Sequence, residues 1–324
     1  MKISVKSEYH KGIQPIRVLQ HNIIHRYENT NTEFLKLSRE LIDQQGLKPG
    51  ISYFVFEEPI IYKCEHFKSQ TPFVSSEGKI AIHETFLSYL WIMSYSMWVL
   101  YDEAVAKPMQ NFQSEKEINK IDKELIEQTE ELFQYGKSLI RVYSEWDKAN
   151  LPNPEEYSKD EEFYIHRANG LFVFAINFIL CHEFAHVEKE HTKAVSSRKV
   201  DNSERKEFEK EADGRAIELM LKGKDGENDK SIELGILIGL ASMLYFRDNA
   251  YGGDHHPDTD TRIKTYLESI NPGNEEPIWG VASLFFKLWD NQFNLNFDWP
   301  KHINDFKELF YNTITQIENR KNVC

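Results

Sequence analysis

The stretch from Leu171 to Asp213 constrains this chain more than any other. It opens with LFVFAINFIL, in which Leu171, Phe172, Val173, Phe174, Ile176, Phe178, Ile179 and Leu180 cover every side of a helix. That is the pattern of a helix buried all round. The same helix runs straight into CHEFAHVEKEH (Cys181–His191), so it carries imidazoles and carboxylates into an apolar setting. Such groups are costly to bury unless they are paired or coordinated. His182 and His186 are four residues apart, on one helix face, and can aim two ring nitrogens at one point. Glu183 is rotated about a third of a turn away, where it can reach a water on a metal without ligating the metal. H-E-x-x-H arises by accident in about one of a few tens of chains of this composition. The competing reading, two core histidines and a solvated glutamate, loses ground to the apolar run that precedes the motif.

A catalytic zinc keeps three protein ligands and an open position for water. A third ligand is therefore expected downstream, and FEKEADGRA (Phe208–Ala216) supplies candidates. Glu209 and Asp213 share a helix face, whereas Glu211 points nearly to the opposite side. With Glu209 on the metal, Asp213 sits one turn on and can accept a hydrogen bond from a ligand imidazole. Glu211 has no such partner in sight. The bland alternative is that the acids of ERKEFEKEAD form a solvated charged face.

These motifs resemble known families. HEFAH followed by EKEAD is similar to zinc peptidases with a glutamate third ligand, and HPDTDTRI (His256–Ile263) resembles the H-P-x-x-x-x-R-I segment of M48-type metallopeptidases. A closer resemblance is to the phage-exclusion Lit family, U49, in which an apolar, Trp-containing stretch like IHETFLSYLWIMSYSMWVL (Ile82–Leu100) precedes the HExxH helix. It covers roughly Lys79 to Ile263; residues 1–75 have no recognisable counterpart. The M48-like pattern implies that His256 lies near the site, where it could donate to the oxyanion of the attacked carbonyl, and that Arg262 braces its segment. A turn histidine with His255 as exposed neighbour is the plainer reading of His256. The Lit resemblance implies a dormant protease, triggered by a phage-derived polypeptide and directed at host translation, with elongation factor Tu as the class of target.

The rest of the chain fits an α+β, predominantly helical protein: a zincin-like metallopeptidase core on the HExxH helix, with a small mixed region before it. We expect residues 1–78 to form that mixed region and residues 79–324 the helical zinc-peptidase domain. At 324 residues there is ample apolar content for a sizeable core. The 39 basic against 52 acidic residues, net −13, argue against a nucleic-acid or anionic-membrane surface. Cys64, Cys181 and Cys324 form no disulfide framework and suit a reducing compartment. Cys181 points off the ligand face and is expected to pack in the core. MKISVKSEYHKG contains no apolar signal region, so a cytoplasmic location is expected.

Asn31-Thr32 before EFLKLSRELIDQQG reads as a capped helix ending at Gly46. SYFVFEEPIIYKC and KIAIH read as short strands. Thr85–Tyr101 lacks charge but is short for a membrane span and carries serines, so it is expected to be a buried helix, as is Leu234–Phe246. Glu115–Trp146 has helical periodicity and LPNPEEYSKDEE reads as a loop. Asn202-Ser203 resembles a cap before the second ligand helix. His191, five residues beyond His186, falls off the ligand face and is expected in solvent. FRDNAYGGDHHPDTDTRI reads as a glycine-rich loop entering a helix, and IWGVASLFFKLW and INDFKELFYNTITQI as two further helices.

These parts make a zinc-dependent endopeptidase: Zn2+ on His182, His186 and Glu209, Glu183 as the base, and a host protein as substrate. Two other readings stay open. One is an M48-like housekeeping or membrane-associated peptidase. The other is a non-catalytic zinc-scaffold sensor, against which Glu183 argues because a scaffold needs no base.

Overall fold

In a computed structural model of the chain, residues 2–48, 50–55, 71–114, 119–141, 143–249, 253, 256–303 and 305–322 are described. In chain order the elements are β1 (Lys2–Ser4), α1 (Gln20–Glu28), α2 (Phe34–Gln45), β2 (Gly50–Phe54), β3 (Phe73–Val74), β4 (Lys79–His83), α3 (Glu84–Tyr101), α4 (Lys107–Gln113) and α5 (Lys123–Ser138). Then come β5 (Glu156–Ser158), α6 (Glu162–Glu188), α7 (His191–Ser197), α8 (Asn202–Leu221), α9 (Asp229–Ala241), α10 (Thr259–Ile270), α11 (Pro277–Phe293) and α12 (Phe306–Lys321). Helices dominate and the strands are short, as expected for a predominantly helical α+β chain.

The core forms around α6 because its apolar run has no polar face to turn to water. Phe172, Ile176, Leu180 and Cys181 are fully buried, and α3, α8, α9 and α1 pack around the helix. α3 is buried almost throughout, including Trp91, Tyr95 and the uncharged Ser88, Ser94 and Ser96, as its composition led us to expect. Of the described helices, α6 is the one long and apolar enough to cross a membrane, and most of its apolar window is packed inside the protein. The Cys181 thiol lies near Thr30 and Asn177, and burial pushes its pKa up to about 12. Cys64 and Cys324 lie outside the described residues.

The sheets are small. β4 is the middle strand, parallel to β2 and antiparallel to β3. Gly78 takes φ 84° in the tight β3–β4 turn. The first strand, β1, pairs antiparallel with β5 in mid-chain, and Ile16, Val18, Ile23 and Phe34 lie in the same core as α6.

Several local expectations are corrected. LPNPEEYSKDEE contains β5, whose backbone groups find partners on β1. The helical reading of Glu115–Trp146 holds for Lys123–Ser138; residues 119–122 are not helical and 115–118 lie outside the described residues. The second ligand helix is capped by Asp201, which accepts from Glu204 N–H at 2.8 Å, one residue before the expected Asn202-Ser203. α2 ends at Gly46 in the left-handed region as expected, but Asn31 bonds Glu33 N–H in the turn before the helix rather than capping it. Leu234–Phe246 is α9 continued by a 3-10 turn. The strand reading of SYFVFEEPIIYKC holds for Ser52–Phe54, the end of β2; residues 56–70 lie outside the described residues, as does His255.

Candidate active site

The last turns of α6 carry His182, Glu183 and His186, and α8 lies beside them with Glu209 and Asp213. His182 Nε2 and His186 Nε2 are 3.1 Å apart. Glu209 closes the triangle, with Oε2 3.3 Å from His182 Nε2 and Oε1 3.5 Å from His186 Nε2. Among the described residues, these three form the group of His, Cys and acidic side chains that could hold a metal.

The donor set fits zinc on geometry. Ligand bonds to zinc run about 2.0–2.2 Å, and a tetrahedron with such bonds has edges of about 3.3–3.6 Å. The separations of 3.1, 3.3 and 3.5 Å are close to those edges. Two ring nitrogens and a carboxylate converging at this distance offer a cation three ligand atoms, and without one a proton on a ring keeps their lone pairs from facing one another. Burial opposes charge on His182, yet hydrogen bonds to Asp213 and Glu209 outweigh it and push the imidazole up to about 10. Burial and the neighbouring His182 charge hold His186 down at about 3. Glu209 resists burial and stays far below the usual carboxylate range because His182 and His256 bond to it.

A second layer of side chains fixes these groups. His182 Nδ1 lies 2.9 Å from Asp213 Oδ1. Asp213 in turn receives both Arg262 Nε and Nη2 at 2.6 Å, a bidentate clamp reached from α10. Asp213 thus lies within hydrogen-bond reach of the imidazole of His182, and Arg262, which the M48-like pattern implied would brace its own segment, reaches Asp213 instead. His256 places Nδ1 2.9 Å from Glu209 Oε2 while its side chain stays about half exposed at the rim. In this arrangement it braces Glu209, which the sequence had not suggested.

The expectation for His191 is corrected. It is only 4% exposed, stacks flat on Phe208 with centroids 4.1 Å apart, and puts Nδ1 3.1 Å from His186 Nδ1. Counting helical offsets from His186 failed because α6 stops at Glu188 and Glu190 adopts φ 57°, the left-handed region. That turn swings His191 back against the ligand face. Glu211, too, has a partner after all: its Oε2 is 3.0 Å from His191 Nε2. No glycine marks the turn at Glu190, so the sequence carried no signal for either contact.

Glu183 faces a cavity of about 780 Å³ whose walls include Phe73, Phe178, Met243, Phe246 and Arg205. The Val74 N–H of β3 bonds its carboxylate. Burial outweighs the nearby His182 charge and raises Glu183 to about 7. A carboxyl poised there can both take and return a proton near neutral pH.

The profile of the Peptidase U49 family matches residues 80–282, more than half of the chain. The chain belongs to this family of peptidases. Its U49 region contains the motif helix, Glu209, Asp213, His256 and Arg262 together. The chain is also similar to the Cell death peptidase of Escherichia coli (strain K12), at 25% identity over 231 residues, covering 68% of this chain and 73% of the relative. No solved structure matches it.

Proposed function

We propose that this U49 peptidase is a zinc-dependent endopeptidase. The observation that carries the reading is the convergence of His182, His186 and Glu209 on one point, with Glu183 beside it on a cavity large enough for a peptide segment. His182 and His186 would hold zinc through Nε2 and Glu209 through its carboxylate. Bound there, zinc supplies Lewis acidity and lowers the pKa of water. Glu183 takes the proton of the attacking water and delivers it to the leaving amine. Asp213, held by Arg262, keeps the His182 proton on Nδ1 and so leaves Nε2 free to ligate. His256 donates through Nδ1 to Glu209, so only its imidazolium form, which carries a proton on Nε2 as well, would have a second N–H to offer the substrate oxyanion.

Purified protein is expected to contain about one zinc per chain, as a catalytic site holds, and His186→Ala to lose it. Glu183→Gln should retain zinc and the wild-type melting temperature yet cleave nothing detectable, because only the proton acceptor is gone. Full zinc content in His186→Ala, or residual cleavage by Glu183→Gln, would overturn the assignment.

The Lit resemblance and the name of the E. coli relative support a finer reading. The protein is a dormant cytoplasmic protease that cuts a host translation protein, elongation factor Tu being the candidate, when a phage-derived polypeptide is present. Expression with individual phage genes should yield growth arrest that requires Glu183, with the cleaved host protein identified by mass spectrometry. Constitutive, broad proteolysis by the isolated protein would instead speak for a housekeeping role.

A further inference from the structure

Outside the three donors, the group in closest contact with His186 is His191. His186 Nε2 faces His182 and Glu209, so as a ligand it must carry its proton on Nδ1. That proton points at His191 Nδ1, 3.1 Å away, which must then accept. A neutral imidazole that accepts at Nδ1 bears its proton on Nε2, and His191 Nε2 lies 3.0 Å from Glu211 Oε2, an acceptor. One protonation pattern satisfies the whole line: Glu211 accepts from His191, and His191 accepts from His186. Phe208 stacks on His191 with an interplanar angle of 9° and fixes its ring plane.

We propose that His191 and Glu211 are positioning residues that hold His186 in its zinc-ligating tautomer and orientation, the counterpart for this ligand of what Asp213 and Arg262 do for His182. The proposal rests on the zinc reading above. The two ligand imidazoles are thereby treated differently. His182 donates to a carboxylate that is itself neutralised by arginine, whereas His186 donates to a neutral ring backed by a largely exposed carboxylate. The His191 arm is sited where α6 ends, and it depends on the left-handed Glu190 that turns α7 back onto the site.

The test is zinc affinity of the purified full chain, measured by competition with a chromophoric chelator, together with melting temperature with and without zinc. His191→Ala should weaken zinc binding about 10–100-fold, the range for a residue that orients a ligand. Glu211→Ala should weaken it less, Glu211→Gln should recover most of that loss because an amide oxygen still accepts from His191, and the double variant His191→Ala/Glu211→Ala should be no weaker than His191→Ala alone. The zinc-dependent rise in melting temperature should shrink in His191→Ala, since ligand stabilisation tracks affinity. A purely structural His191 would instead lower both melting temperatures equally and leave the zinc affinity unchanged, and that result would overturn the proposal. His186→Ala separates the two levels of the argument. If it keeps zinc, the ligand assignment itself fails; if it loses zinc while His191→Ala binds like wild type, only the positioning role fails.

Discussion

Asp213 serves two partners at once, accepting from His182 Nδ1 and from both nitrogens of Arg262. It is buried, and burial alone would raise its pKa, but Arg262 and His182 hold it at about 2. A carboxylate so placed is ionised near neutral pH, and it holds a His182 proton on Nδ1. Asp213→Asn removes the charge while keeping the shape. It strands a buried guanidinium, and removing one partner of a buried ion pair costs about 3–5 kcal/mol. We expect a clear drop in melting temperature together with a 10–100-fold loss of zinc affinity. A variant that melts and binds zinc like wild type would show that the clamp is idle. Residues at this scale were legible wherever helical spacing governed them. His182, His186, Glu209 and Asp213 meet as their i, i+4 offsets required. His191 escaped because it lies beyond a left-handed residue, after which counting along a helix means nothing.

At the scale of elements, α6 and α9 cross closely because α9 presents Gly235 and Gly239, one turn apart. A Cβ at Gly235 would stand 2.3 Å from Phe174 Cβ and within 3.0 Å of α6 backbone. No flexible side-chain end is available to yield, so α9 itself must move. Gly235→Ala should therefore destabilise by about 1–3 kcal/mol, as overpacking does, although alanine is intrinsically the better helix former. Thermal unfolding of the variant checks this, and a melting temperature at or above wild type would refute the close-crossing argument. The uncharged α3 and the apolar α6 were readable because nothing in them can face water. β5 was not readable, since its pairing with β1 brings together residues more than 150 positions apart and neither three-residue strand has a pattern of its own.

The whole molecule is stitched together by its N-terminus. The U49 match begins at residue 80, yet Ser7 and Arg17 reach across to Glu155, beside the β1–β5 pair, and Lys148 joins them. Arg17 Nη2 and Lys148 Nζ lie 2.9 and 3.2 Å from the Glu155 carboxylate, which is 5% exposed. Burial would raise the pKa of Glu155, but the Ser7 and Arg17 hydrogen bonds outweigh it and hold the carboxyl below its ordinary value. The folded pKa is therefore lower than the unfolded one, about 4.3 for a glutamate. Stability from this group is present in full above the unfolded pKa and is lost as pH falls through the folded pKa. Glu155→Gln keeps an acceptor but not the charge, and should cost about 1–3 kcal/mol near neutral pH, the scale of hydrogen bonds to a charged group. The gap in melting temperature between wild type and variant should be constant above about pH 5.5 and should close as the pH falls below about 4.3. Measured on zinc-free protein, the comparison excludes protons competing for the metal ligands. A gap that persists unchanged to about pH 3 would mean that the Glu155 charge plays no part in holding the N-terminal segment to the peptidase body.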